Sequence, residues 1–153
     1  MFRDFKFILV SLLIFYSGNI NADLAIIAHP DYNGGELDEE VIKQLFLGET
    51  KTYPSGHAAL PANHAVGSPD RKAFFETVLG MGETRYKRYW SRKMSVGKKG
   101  APLELNSYEE VLKWVASNPL GISYIDKDMV DDSIKVLHTV YVFDDVEMAG
   151  DTP

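Results

Sequence analysis

Cysteine is absent from this 153-residue chain. That excludes disulfide staples, so stability has to come from packing. It also removes the thiolate ligands of a structural zinc site. The four histidines, His29, His57, His64 and His138, are scattered and form no close ligand pair. A G-x-S-x-G nucleophile elbow is missing, and no spacing of carboxylates singles out an acid/base pair. Neither an enzyme nor a cofactor site is therefore expected. Positive charge is in deficit, with 16 Lys and Arg against 22 Asp and Glu and a net charge of −6, which argues against general nucleic-acid binding. There is no internal repeat and no low-complexity block.

Long apolar runs are also lacking. The longest, Phe7 to Tyr16, is too short for a bilayer span, which takes about 20 residues. Arg3 and Lys6 precede it, and a polar stretch ending at Ala22 follows. That three-part pattern is a secretory signal peptide over residues 1–22. No cysteine follows to carry a lipid. The expected product is a periplasmic protein without a stable membrane span, with one domain over 23–145 and a frayed tail over 146–153.

What is present reads as strands alternating with helices. "DLAIIAH" is a buried first strand, bounded by the turn-like "PDYNGG". "LDEEVIKQLFLG" is a helix capped by Asp38, with Val41–Leu45 and Ile42–Phe46 as its apolar pairs and Gly48 as its stop. "ALPANHAV" is extended. Phe74–Val78 and Phe75–Leu79 face inward from a helix ending at Gly80. In the next helix Tyr86, Tyr89, Trp90 and Met94 share one side, while Arg85, Lys87, Arg88, Arg92 and Lys93 make the rest basic. Two readings stay open for it: a surface for an anionic partner, or a packed helix with solvated charges. Ser107 with Glu110 is a capping box, Val111, Leu112 and Val115 are its buried face, and Asn118–Pro119 end the helix. "GISYID" and "IKVLHTVYVFDD" add strands. The pattern predicts an α/β fold, a small mixed sheet with helices packed on it.

The stretch "VGSPDRKAFFETVLG" carries the candidate site. Gly67 leads into Ser68 as N-cap and Pro69 at the first helical position. Free N–H groups and the dipole at a helix start attract anions. Arg71 adds a forked donor, and His64 adds charge when protonated. The competing reading is a plain capped helix, with Arg71 paired to Asp70 or Glu76.

"LDEEVIKQLFLGETKTYPSG", "GSPDRKAFF", "RYWSRKMSVG" and "SNPLGISYID" follow one another in an order that resembles the PstS-like substrate-binding proteins of phosphate ABC transporters, a family of type 2 periplasmic binding proteins. The resemblance covers Asp23 to about Leu137. It implies one α/β lobe of a two-lobed design, with phosphate or a similar small oxyanion as ligand. The family's Ser-Gly-Thr run falls here on Ser68, Pro69 and Asp70. Ser68 matches, Pro69 has no N–H to give, and Asp70 repels anions. The family's upstream arginine falls near Asn63 and His64. Arg71 is nearby but in a different register, so the resemblance carries over Ser68 alone; with the helix-start reading the candidate ligand set is Ser68, Arg71, His64, Asn63 and Gly67. Binding by a single lobe is expected to be weak, and a homodimer or envelope partner is needed to close the site. The alternative is an envelope interaction module whose lobe has lost ligand binding.

Overall fold

The computed structural model describes residues 22–143, so the expected signal peptide, apart from Ala22, and the 146–153 tail lie outside the described residues. Strand β1 (Leu24–Ala28) is followed by α1 (Glu39–Phe46), β2 (Leu60–His64) and α2 (Pro69–Phe74). A π-helical turn (Phe75–Leu79) extends α2, and α3 (Glu83–Ser95), β3 (Leu103–Leu105) and α4 (Tyr108–Ser117) come next. The chain closes with β4 (Gly121–Asp126), a 3₁₀ turn (Lys127–Met129) and β5 (Lys135–Val140).

The sheet runs β3-β2-β4-β1-β5. β2 lies parallel to β3 and to β4, and β1 is antiparallel to both β4 and β5. It is the small mixed α/β sheet read from the sequence. β1 is buried along its whole length. Its side chains alternate between two apolar clusters: Leu24, Ile26 and Ala28 on one side, Ala25 and Ile27 on the other. A strand covered on both faces has no polar positions to alternate with, which is why "LAIIA" is a continuous apolar run.

α1, α2 with its π turn, and α3 cover the first face through Ile42, Phe46, Phe74, Phe75, Tyr86 and Trp90. α4 covers the second through Val111 and Val115. Asp38 caps α1 by accepting from the Val41 N–H at 3.0 Å, as read. Two details depart from the sequence reading. Met94 does not join the aromatic face of α3 but is 57% exposed, because the helix runs past the edge of the core. β3 was not anticipated: at three residues, two of them exposed, it is too short to show a strand period.

Candidate functional site

β2 and β3 run parallel, so both release the chain at the same end of the sheet. The Ala65 N–H donates to the Leu105 carbonyl at 2.9 Å and ties the two exits together. From β2 the chain turns through Gly67, at φ +90, a value glycine adopts freely, and enters α2. From β3 it passes Asn106 and enters α4. Each helix is capped by a serine. Ser68 Oγ accepts from the Arg71 N–H at 3.4 Å, and Ser107 Oγ accepts from the Glu110 N–H at 3.1 Å. The Glu110 carboxylate reaches back to the Asn106 N–H at 2.7 Å, one residue before the usual capping-box partner.

Between the two helix starts lies an open cleft of about 430 Å³, lined by His64, Ser68, Ser107, Tyr108, Leu112 and Met129 among others. Crevices beyond the carboxyl ends of parallel strands are where α/β sheets bind ligands, and helix starts supply unpaired N–H groups there.

The five residues singled out from the sequence divide. Ser68 and His64 line the cleft; Gly67 does not, and lies in the turn between the lining residues Val66 and Ser68. Asn63 is buried and spent: its amide donates to Tyr86 Oη at 2.8 Å and its carbonyl accepts from Tyr124 Oη at 3.1 Å. Arg71 is only 2% exposed. It pairs not with Asp70 or Glu76 but with Glu83, through Nε and Nη2, and with Glu104 at 2.9 Å. Nη1 also donates to the His64 carbonyl at 2.8 Å, and the guanidinium lies over Phe75 and Tyr86. Burial alone would lower its pKa, but the two carboxylates outweigh that and raise it. Its charge is neutralised from behind the cleft. Asp70 is buried, accepting from the Asp126 N–H at 2.9 Å and from the hydroxyl of the cleft-lining Tyr108 at 3.4 Å.

The second helix start, with Asn106, Ser107 and Tyr108, was missed as a site. Its capping box was legible, but its place beside Ser68 depends on β3.

His64 is buried and donates from Nε2 to the Tyr124 carbonyl at 2.6 Å. Burial lowers its pKa; the Tyr124 bond and Asp70 pull the other way, and Arg71 adds to the lowering. A cationic His64 is therefore disfavoured, contrary to the role read for it. Linkage gives the sign. The unfolded chain takes up a proton near pH 6.5 that the folded chain refuses, so acidification through that value costs stability. Asp70, whose pKa burial raises, acts oppositely at lower pH, holding its proton earlier when folded. Lowering the pH from about 7.5 to about 5.5 should reduce the urea midpoint, and His64→Gln, which can keep the bond to Tyr124, should flatten that slope. An unchanged slope in the variant would remove His64 as its source.

No protein-family model matches the sequence. Solved structures do. A protein described as a phosphate ABC transporter substrate-binding protein from Clostridium perfringens, with bound phosphate, aligns over 76% of this chain and 45% of its own, at 21% identity and a TM-score of 0.59. An ABC-type phosphate transport receptor from Vibrio cholerae aligns over 76% and 46%, at 19% identity and a TM-score of 0.59. PstS from Borrelia burgdorferi aligns over 76% and 47%, at 15% identity and a TM-score of 0.56. The chain shares the fold of one lobe of PstS-like periplasmic binding proteins. This PstS-like lobe spans less than half the length of each of those chains. Among the described residues, no helix is long and apolar enough to cross a membrane.

Proposed function

We propose that the chain is an exported, periplasmic oxyanion-binding protein of phosphate transport or sensing, with a binding rather than a catalytic role. The anion sits in the cleft where α2 and α4 begin, close to Ser68, Gly67, Ser107 and His64. One observation carries this reading: two serine-capped helix starts open onto one crevice at the carboxyl ends of parallel strands. The PstS-like fold supports it, because neighbours of that fold are phosphate receptors. Arg71 serves the site indirectly, by fixing the start of α2, and Asn63 by bracing β2 against Tyr86 and Tyr124. Binding is weak in a single open lobe and tightens when a second copy or a partner closes it.

A second reading is an envelope interaction module that no longer binds an anion. It is favoured by Pro69, which withholds an N–H, and by the two carboxylates that cancel Arg71.

Thermal melting with millimolar phosphate or sulfate, at matched ionic strength, separates the two. A ligand specific to the folded state raises stability by about 2.7 kcal/mol at a hundred times its dissociation constant. We expect a phosphate-dependent rise in the midpoint. Ser68→Asp with Ser107→Asp should abolish it while leaving the unliganded midpoint nearly unchanged, since aspartate caps as well as serine but repels an anion. No rise in the wild-type protein, even at tens of millimolar phosphate, would count against the anion site and favour the interaction module.

A further inference from the structure

The cleft between the starts of α2 and α4 is larger and more apolar than an inorganic ion needs. Its volume is about 430 Å³, within the range of pockets that take drug-sized ligands, whereas phosphate has only five heavy atoms. Val66, Pro69, Leu105, Leu112 and Met129 supply apolar walls, and Tyr108 adds an aromatic one. Val66 is 52% and Met129 44% exposed, so apolar surface stands open to water at the cleft. Among the described residues no Lys or Arg lines it, while Glu109 does. A small free dianion gains little there, because apolar walls cannot replace its water and no cation neutralises it.

His64 adds an independent demand. It is 3% exposed and borders the cleft. Its Nε2–H is spent on the Tyr124 carbonyl, which makes Nδ1 of the neutral ring an acceptor. Nδ1 has no hydrogen-bond partner among the described residues, and it is not sealed inside the protein. An acceptor on a buried residue, left open at a cleft, asks for a donor on the ligand.

We infer that the ligand is a small phosphate monoester with an apolar organic group. This rests on the oxyanion reading above and narrows it. The phosphate end meets the unpaired N–H groups at the start of α4, with Ser68 alongside. Phosphate monoesters have a second pKa of about 6, so near neutral pH a fraction carries an O–H that donates to His64 Nδ1. The organic group covers Val66, Leu112 and Met129.

The test is the melting midpoint of the full chain with inorganic phosphate, phenyl phosphate, benzoate or benzyl alcohol. Each is titrated over about 0.1–50 mM at matched ionic strength, and the shift is converted to a dissociation constant. We expect phenyl phosphate to bind roughly tenfold more tightly than phosphate, the gain from covering about 55 Å² of apolar surface. Val66→Ser with Met129→Ser should bring phenyl phosphate back to the affinity of phosphate and leave phosphate itself unchanged. Both positions are half-exposed, so the unliganded midpoint should hold. Ser68→Asp with Ser107→Asp should abolish binding of both. Phosphate binding without a preference for the ester, or a preference that survives the Val66 and Met129 changes, would overturn the inference and leave the oxyanion reading standing. Benzoate or benzyl alcohol matching phenyl phosphate would also overturn it, making the cleft a carboxylate site or a purely apolar one. If neither phosphate nor phenyl phosphate shifts the midpoint, the oxyanion reading fails and this inference fails with it.

Discussion

Arg71→Met is expected to lower the unfolding free energy by about 3 kcal/mol, the lower end of the range for removing one partner of a buried ion pair. The guanidinium is a three-way tie. Nε and Nη2 hold Glu83 of α3, Nη1 holds Glu104 of β3 and the His64 carbonyl of β2, and the backbone belongs to α2. Methionine keeps much of the bulk against Phe75 and Tyr86 but makes none of these bonds. The carboxylates are 33% and 50% exposed, so after the substitution they turn to water rather than remain as stranded charges. This places the cost at the lower end. The His64 carbonyl, in a residue that is itself buried, also loses the Arg71 donor. Urea unfolding measures the change. Glu104→Gln, at the exposed end of the tie, should cost less than about 1 kcal/mol. A similarly small cost for Arg71→Met would mean that the arginine is not structural. Loss of a phosphate-induced melting shift in that stable variant would then return Arg71 to the ligand set.

The same residue shows where sequence reasoning stops. Ser68, Pro69 and the apolar pairs of α2 are local features, and chemistry within a few residues fixes them. The partners of Arg71 lie 12 and 33 residues away, and no period or spacing announces such pairs. A helix start followed by arginine reads as an anion site, yet a buried arginine demands counter-charges, and the fold supplies Glu83 and Glu104. Burial decides His64 in the same way. From the sequence it is a titratable group beside a helix; in the fold, desolvation works against its charged form, and its Nε2–H is spent on the Tyr124 carbonyl. The alternation of elements, the mixed sheet and the burial of Tyr86 and Trp90 were legible, because periodicity and turn residues carry them. The second half of the cleft was not, since it depends on the short pairing of β2 with β3 at Ala62–Leu103 to His64–Leu105.

Tyr124→Ala is expected to cost about 4 kcal/mol or more, and Tyr124→Phe about 1–3 kcal/mol, because the ring and the hydroxyl do separate jobs. The ring is fully buried in β4. It stacks on Phe74 with centroids 4.0 Å apart and planes 9° from parallel, and the His64 imidazole lies 4.9 Å away. Alanine would open a cavity between α2 and β2, behind the cleft, and remove aromatic contacts that add to area burial. The hydroxyl donates to Asn63 Oδ1 at 3.1 Å and accepts from the His64 N–H at 3.3 Å. Burial strongly raises its pKa, so it stays neutral and keeps both roles at any pH at which the protein folds. Phenylalanine keeps the stack but leaves both Asn63 and His64 short of a partner, and a buried unsatisfied group costs about 1–3 kcal/mol. Unfolding of the two variants separates packing from hydrogen bonding. Near-neutral Tyr124→Phe would mean that water reaches the end of β2 from the cleft side and replaces the hydroxyl. In that case the rear wall of the cleft is wet rather than dry, and an anion held at the helix starts would face a hydrated floor instead of one shaped by Asn63, His64 and Tyr124.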